Sequence, residues 1–114
     1  MTILEQGARA GDFLLSEAKG ERSREQVNLL ALTEAAPAGT IIVLDGAGYK
    51  PYESPETPAA ITAPLAILFN NKPASEDVQY AAVIVRDAEV DGDLLFGLDD
   101  AALTALASQG VIVR

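Results

Sequence analysis

Three adjacent apolar residues, Phe13, Leu14 and Leu15, stand just ahead of a run of mixed charge: Glu17, Lys19, Glu21, Arg22, Arg24 and Glu25, with Gly20 in its midst. Neighbouring side chains cannot share one helix face, and the apolar signal then nearly stops until Val27, so no amphipathic helix fits this stretch. A segment that cannot bury its apolar residues along its own length needs a surface from elsewhere. Two surfaces are open to it. Phe13 to Leu15 could be the first strand of the domain's own sheet, or residues 1–25 could be a flexible arm whose triplet docks on another protein. The missing period-2 alternation favours the arm. Residues 26–114 are then the compact body that carries it.

The body reads as short strands cut by turn residues. Val27 to Leu32 is the first strand, followed by a loop over Glu34 to Gly39. Thr40 to Leu44 is rich in β-branched residues, and Asp45-Gly46 signals a turn. Tyr49 to Tyr52 is expected as an edge strand, because Pro51 lacks a ladder donor. Pro55, Pro58 and Pro64 make Glu53 to Pro64 a loop, and Pro64 to Phe69 is a buried strand. Val78 to Val90 alternates until Arg86 breaks its apolar parity, which predicts a bulge or a departure from the sheet there. Asp99 or Asp100 can cap a helix over Ala101 to Gln109, with Leu103 and Leu106 on one face and Gly110 as its stop. Val111 to Val113 is the last strand. The sum is a small, mainly β, α+β domain with one short C-terminal helix.

The chain has 114 residues, enough for one domain that buries roughly two-thirds of its unfolded surface. It contains no tryptophan and is alanine-rich, so the core is short of bulky side chains, which favours self-assembly. The absence of cysteine excludes disulfides and thiolate metal sites. The absence of histidine removes the commonest general base and transition-metal ligand. No cofactor and no enzymatic activity are expected. The start lacks the basic-then-apolar layout of a signal peptide, and no apolar run approaches membrane-span length, so cytoplasmic synthesis and no membrane partner are expected.

Charge divides the chain unevenly. The net charge is −9. Residues 1–25 carry Arg9, Lys19, Arg22 and Arg24 against Glu5, Asp12, Glu17, Glu21 and Glu25, a net of −1, which leaves −8 for residues 26–114. So acidic a body repels phosphate backbones, and no nucleic-acid partner is expected. Asp87, Glu89, Asp91, Gly92 and Asp93 follow the start of a calcium-loop spacing, but the twelfth position is Leu98 where the loop needs a bidentate glutamate. An acidic solvated face is the better reading. Asp45 to Gly48 is glycine-rich without a lysine or a helix behind it, so it reads as a hairpin turn rather than a phosphate cradle.

The segment Phe13 to Glu25 resembles the N-terminal signature of the lambda-like bacteriophage head decoration proteins. The likeness extends to Ala38-Gly39-Thr40, Leu65 to Leu68, Val85 to Val90 and the ending Leu106 to Arg114, and it is weakest from Lys50 to Pro64. What the resemblance implies is a structural virion protein with a small, barrel-like β fold. It further implies a homotrimer on the outer surface of the expanded head, at three-fold positions. There it would hold the major capsid protein against the pressure of packaged DNA. By the same resemblance, the arm orders on the capsid.

In physical terms, Phe13, Leu14, Leu15 and Ser16 are expected to add as a strand to an edge of the shell protein. Lys19, Arg22 and Arg24 would pair with shell carboxylates, and Glu17 and Glu21 with its cations. The apolar stretches Leu65 to Phe69 and Val111 to Val113 are expected at the trimer contact. Two other function classes remain open. A glycan- or host-binding module would need an exposed aromatic platform from Tyr49, Tyr52 or Tyr80. A small hydrolase would need a pocket with a raised carboxylate pKa.

Overall fold

In the computed structural model, residues 13–17, 23–52 and 63–114 are described. The strands are β1 (Leu14–Glu17), β2 (Arg24–Leu29), β3 (Ile41–Asp45), β4 (Gly48–Pro51), β5 (Leu65–Leu68), β6 (Gln79–Ile84), β7 (Ala88–Val90) and β8 (Val111–Val113). A short 3-10 turn covers Gly92–Leu94, and one helix, α1, covers Asp100–Ser108. Five strands close into a barrel in the order β2-β4-β3-β5-β6, while β1, β7 and β8 form a separate sheet with β7 in the middle. No helix among the described residues is long and apolar enough to cross a membrane.

The barrel wall separates two cores, and strand parity decides which residue joins which. Ile42, Ala66, Leu68, Ala81 and Val83 point inward with Leu29 to fill the barrel. Their neighbours Ile41, Leu65, Ile67 and Ile84 point outward into a second core, completed by Val90, Val111 and Leu106 from β7, β8 and α1. This is why Leu65–Leu68 is buried at every position: the strand has apolar material on both faces.

Local signals explain most boundaries. β3 and β4 form a hairpin in which Asp45 pairs with Gly48, and Gly46 takes a left-handed φ of 65° at the first turn position. Asp99 caps α1 by accepting from the Ala102 amide at 2.7 Å, and Gly110, at φ 85°, ends it. The long apolar run breaks as expected: β6 stops at Ile84, Asp87 turns the chain at φ 52°, and β7 starts a different sheet.

Three expectations are corrected. β4 is no edge strand, since it pairs with β3 and, in parallel, with β2 through Leu29 and Tyr49. Pro51 is tolerated because it ends the strand, where Tyr52 supplies the next amide to the Ile41 carbonyl. The buried face of α1 is Ala102 and Leu106, whereas Leu103 faces solvent. β2 begins at Arg24 and not at Val27, so a boundary between residues 25 and 26 cuts through a barrel strand. The sequence reads as a flexible leader over Met1 to Gly11 and a turn at Lys19 to Glu21; both, with most of the loop over Glu53 to Pro64, lie outside the described residues.

Candidate functional site

The expected docking segment is the natural place to look for a binding site, and half of it has a home on its own subunit. Phe13 is 1% exposed and sits in the outer core, beside the backbone of Gly39. Its carbonyl accepts a hydrogen bond from the Asp91 amide at 2.8 Å. Leu14 pairs with Val90 and packs partly buried against the same core. The idea that Phe13 and Leu14 lack a surface on their own body is therefore wrong. Adjacent apolar residues can both meet the core here because Phe13 lies ahead of β1, which begins at Leu14. Its register with β7 slips between Leu14 and Ser16.

The slip leaves Leu15 at 52% exposure, the most open member of the triplet. Ser16 lies opposite Glu89. β1 pairs with β7 on one side, and no strand among the described residues occupies its other edge. An unpaired edge carrying an exposed leucine is a template for an added strand.

Glu17 and Arg24 pair with each other, against the expectation that each would wait for a charge on the shell. The Arg24 guanidinium donates to the Glu17 carboxylate at 2.6 and 3.0 Å, and the Ser23 hydroxyl donates to it as well. These hydrogen bonds hold the Glu17 carboxyl below the ordinary value of 4.5. Arg24, the first residue of β2, also lies 4.2 Å over the centre of the Phe69 ring, just past β5, so the Glu17 ion pair fastens β1 to a guanidinium already held on the barrel wall by a cation–π contact. Strand parity permits the contact: Arg24 and Phe69 occupy outward positions on the two sides of β6, which pairs with both β2 and β5. Lys19 and Arg22 lie outside the described residues.

Two further polar links hold the outer layer in place, and neither was legible beforehand. The Tyr52 hydroxyl donates to Asp99 at 2.9 Å, so the helix cap is anchored to the end of β4. Burial, and then that hydrogen bond, raise the Tyr52 pKa above its ordinary value. Gln109 accepts from the Leu65 amide at 2.8 Å and donates to the Leu65 and Val85 carbonyls at 2.7 and 3.0 Å. A lone glutamine after a helix carries no sequence signal for this role; only the meeting of β5, β6 and α1 creates it.

The remaining candidates separate in space. Asp91 accepts from the Asp93 amide, and Glu89 pairs with Arg114 at 2.9 Å, which lowers the Glu89 pKa. Tyr52 is buried, Tyr49 is half-buried, and Tyr80 alone of the three is open. A cleft of about 560 Å³ over Ala31–Pro37, Thr40, Lys50 and Pro51 has Glu34 and Lys50 as its ionisable groups, and it brings no nucleophile beside a base. The stretches expected at a trimer contact are largely internal, with Leu65–Leu68 and Val111 buried and Ile112 exposed.

Comparison with known proteins gives one answer. Neither the curated proteins nor the solved structures contain a match. Among protein families, residues 3–111 match that of the bacteriophage lambda head decoration protein D. The match spans the barrel, the outer sheet and the helix, stopping at Val111, so it covers the fold and not one motif within it. The chain belongs to the bacteriophage lambda head decoration protein D family.

Proposed function

We propose that this protein is a homotrimer that binds the outer surface of the expanded phage head and stabilises the shell against internal DNA pressure. The observation that carries this reading is the family match over residues 3–111. The net charge of −9 supports an outward position, because a body so acidic is repelled by the packaged nucleic acid.

The capsid contact is centred on β1 and on the residues that precede it. A strand of the major capsid protein adds to the free edge of β1, with Leu15 entering a pocket on the shell and main-chain hydrogen bonds supplying the rest. Phe13 and Leu14 act from behind, fixing that edge to the barrel. Ser16 lies in the contact, and Lys19 and Arg22 pair with shell carboxylates beside it, while Glu17 and Arg24 brace the strand through their mutual ion pair. Residues 1–12 extend the contact along the shell. A single such contact is weak, but three on one trimer act together and raise avidity by roughly 10²–10⁴.

The test uses purified undecorated expanded heads and the full-length protein, compared with a chain lacking residues 1–12 and with Leu15→Asp. Both changes leave the buried residues in place. Co-sedimentation should show each variant binding at least tenfold more weakly while its trimer survives. Full affinity in both variants would overturn the assignment of the contact to this end of the chain.

A further inference from the structure

The half of the barrel wall left uncovered by the outer sheet and α1 is formed by β2 and β6, which pair antiparallel over six residues. Parity sends Val27, Leu29, Ala81 and Val83 toward the interior. Past the Arg24–Ile84 pair, where the ladder meets the outer core and the Glu17 ion pair, Gln26, Asn28, Val78, Tyr80 and Ala82 take the outward positions, with Asn28 directly opposite Tyr80 and Gln26 opposite Ala82. Tyr80 is 77% exposed and Val78 56%. Among the described residues, no partner within the subunit takes the Tyr80 hydroxyl or the two side-chain amides.

None of these five outward residues is charged, on a chain whose net charge is −9. Charge depletion together with an open tyrosine is the composition of the centre of a protein contact. The occupant follows from electrostatics. Two copies of a strongly acidic chain repel wherever their carboxylates face one another, so they meet best where carboxylates are fewest. The Tyr80 face has carboxylates at one end only, Glu76 and Asp77 ahead of Val78, whereas the competing exposed pair, Leu94 and Phe96, has them on both sides, with Asp91 and Asp93 before it and Asp99 and Asp100 after. Such a patch suits a basic partner, whereas the Tyr80 face suits another copy of this chain.

We propose that the outward face of β2 and β6, centred on Tyr80, is a surface through which one copy of the chain contacts the next. This inference rests on the trimer reading above and gives it a location. Tyr80 supplies the central buried ring, Val78 and Ala82 its apolar surround, and Gln26 and Asn28 the hydrogen bonds that fix orientation. The contact contains no ion pair, so raising the salt concentration screens the repulsion between bodies and tightens the assembly.

Light scattering on a dilution series of the full chain tests it, with circular dichroism to confirm that each variant is folded. Tyr80→Glu places a carboxylate at the centre of the face. Removing a central tyrosine weakens one interface by roughly 30-fold. A closed trimer repeats that interface around its axis, so the concentration for half-dissociation should rise on the order of 100-fold. Tyr80→Phe should shift it far less, and Phe96→Glu should leave it unchanged. A wild-type chain that is monomeric at micromolar concentration removes the trimer reading itself. A trimeric wild type with an equally stable Tyr80→Glu trimer removes only this face. The same holds if Tyr80→Glu trimers lose binding to heads, because the face would then belong to the shell.

Discussion

Inside the barrel, Leu29, Ile42, Ala66, Leu68 and Val83 are brought together by strand alternation, and all come from the strands that form the wall. Outside it, Phe13, Ile41, Ile67, Val90, Leu106 and Val111 come from both ends of the chain and from the barrel's outer face. The inner core is closed by a continuous ladder of strands. The outer one is closed by a lid of β1, β7, β8 and α1, and polar links fasten that lid: Glu17 to Arg24, Tyr52 to Asp99, and Gln109 to Leu65 and Val85. A barrel that completes its own wall can keep its shape while the lid over one flank adjusts. Under the proposed docking of the lid edge on a shell, that division assigns stability to one region and adaptability to the other.

Removing the largest side chain of the lid is the strongest way to separate the two regions. Phe13→Ala should cost about 3–5 kcal/mol, the range for a buried phenylalanine, measured by urea unfolding. Native-state hydrogen exchange should place most of the loss in β7 and β8, with the amides of β3 and β5 retaining more protection. Uniform loss across both regions would show that the lid and the barrel unfold as one unit, and the contrast between them would fail.

The next test addresses the joint between the regions. Gln109→Ala leaves the Leu65 amide and two carbonyls short of partners at the meeting of β5, β6 and α1. A buried polar group left unpaired costs about 1–3 kcal/mol. Gln109→Glu should be at least as damaging at neutral pH, since its carboxylate keeps the acceptor but faces the Leu65 and Val85 carbonyls with oxygen where the amide nitrogen donated. If Gln109→Glu proved milder than Gln109→Ala, the joint would be held by side-chain packing and not by these hydrogen bonds.

The two regions were unequally legible in the sequence. Strand positions in the barrel followed from β-branched runs and turn residues, and the break near Arg86 followed from lost parity, because these are local signals. The helix was equally plain from Asp99 and Gly110. The lid was not, because its pairing joins residues 14–17 to 88–90 and 88–90 to 111–113, and no local pattern records such distant partners. Phe13 misleads for the same reason: its home is the outer core beside Gly39 and Asp91, distant positions that a non-alternating triplet does not reveal. Tyr80 was visible only as one of three tyrosines, and its isolation on an uncharged face emerged once β2 and β6 were paired. Arg24 and Glu17 were recognised as important charges, yet their seven-residue separation gave no sign that they would satisfy one another.

The smallest expected effect concerns that ion pair, and it separates the regions by pH instead of by volume. The Glu17 carboxyl is held below 4.5 in the folded chain, so its ionised form stabilises the fold at pH above 4.5. That contribution is lost as pH falls through the lowered folded pKa. Because the pair is partly open to solvent, its worth is under about 1 kcal/mol. Glu17→Gln should therefore lower stability slightly at pH 7 and leave it equal to wild type in strong acid, where the wild-type carboxyl is protonated too. Glu89, lowered by Arg114, lies in the same lid and titrates in the same direction. The residues that fill the barrel carry no carboxylate. Acid should thus speed amide exchange in β7 before β3, after correction for the intrinsic pH dependence of exchange, and Glu17→Gln should reduce that difference. Equal acid sensitivity in both strands would mean that the ion pairs brace the whole molecule and that the lid has no electrostatic fastening of its own.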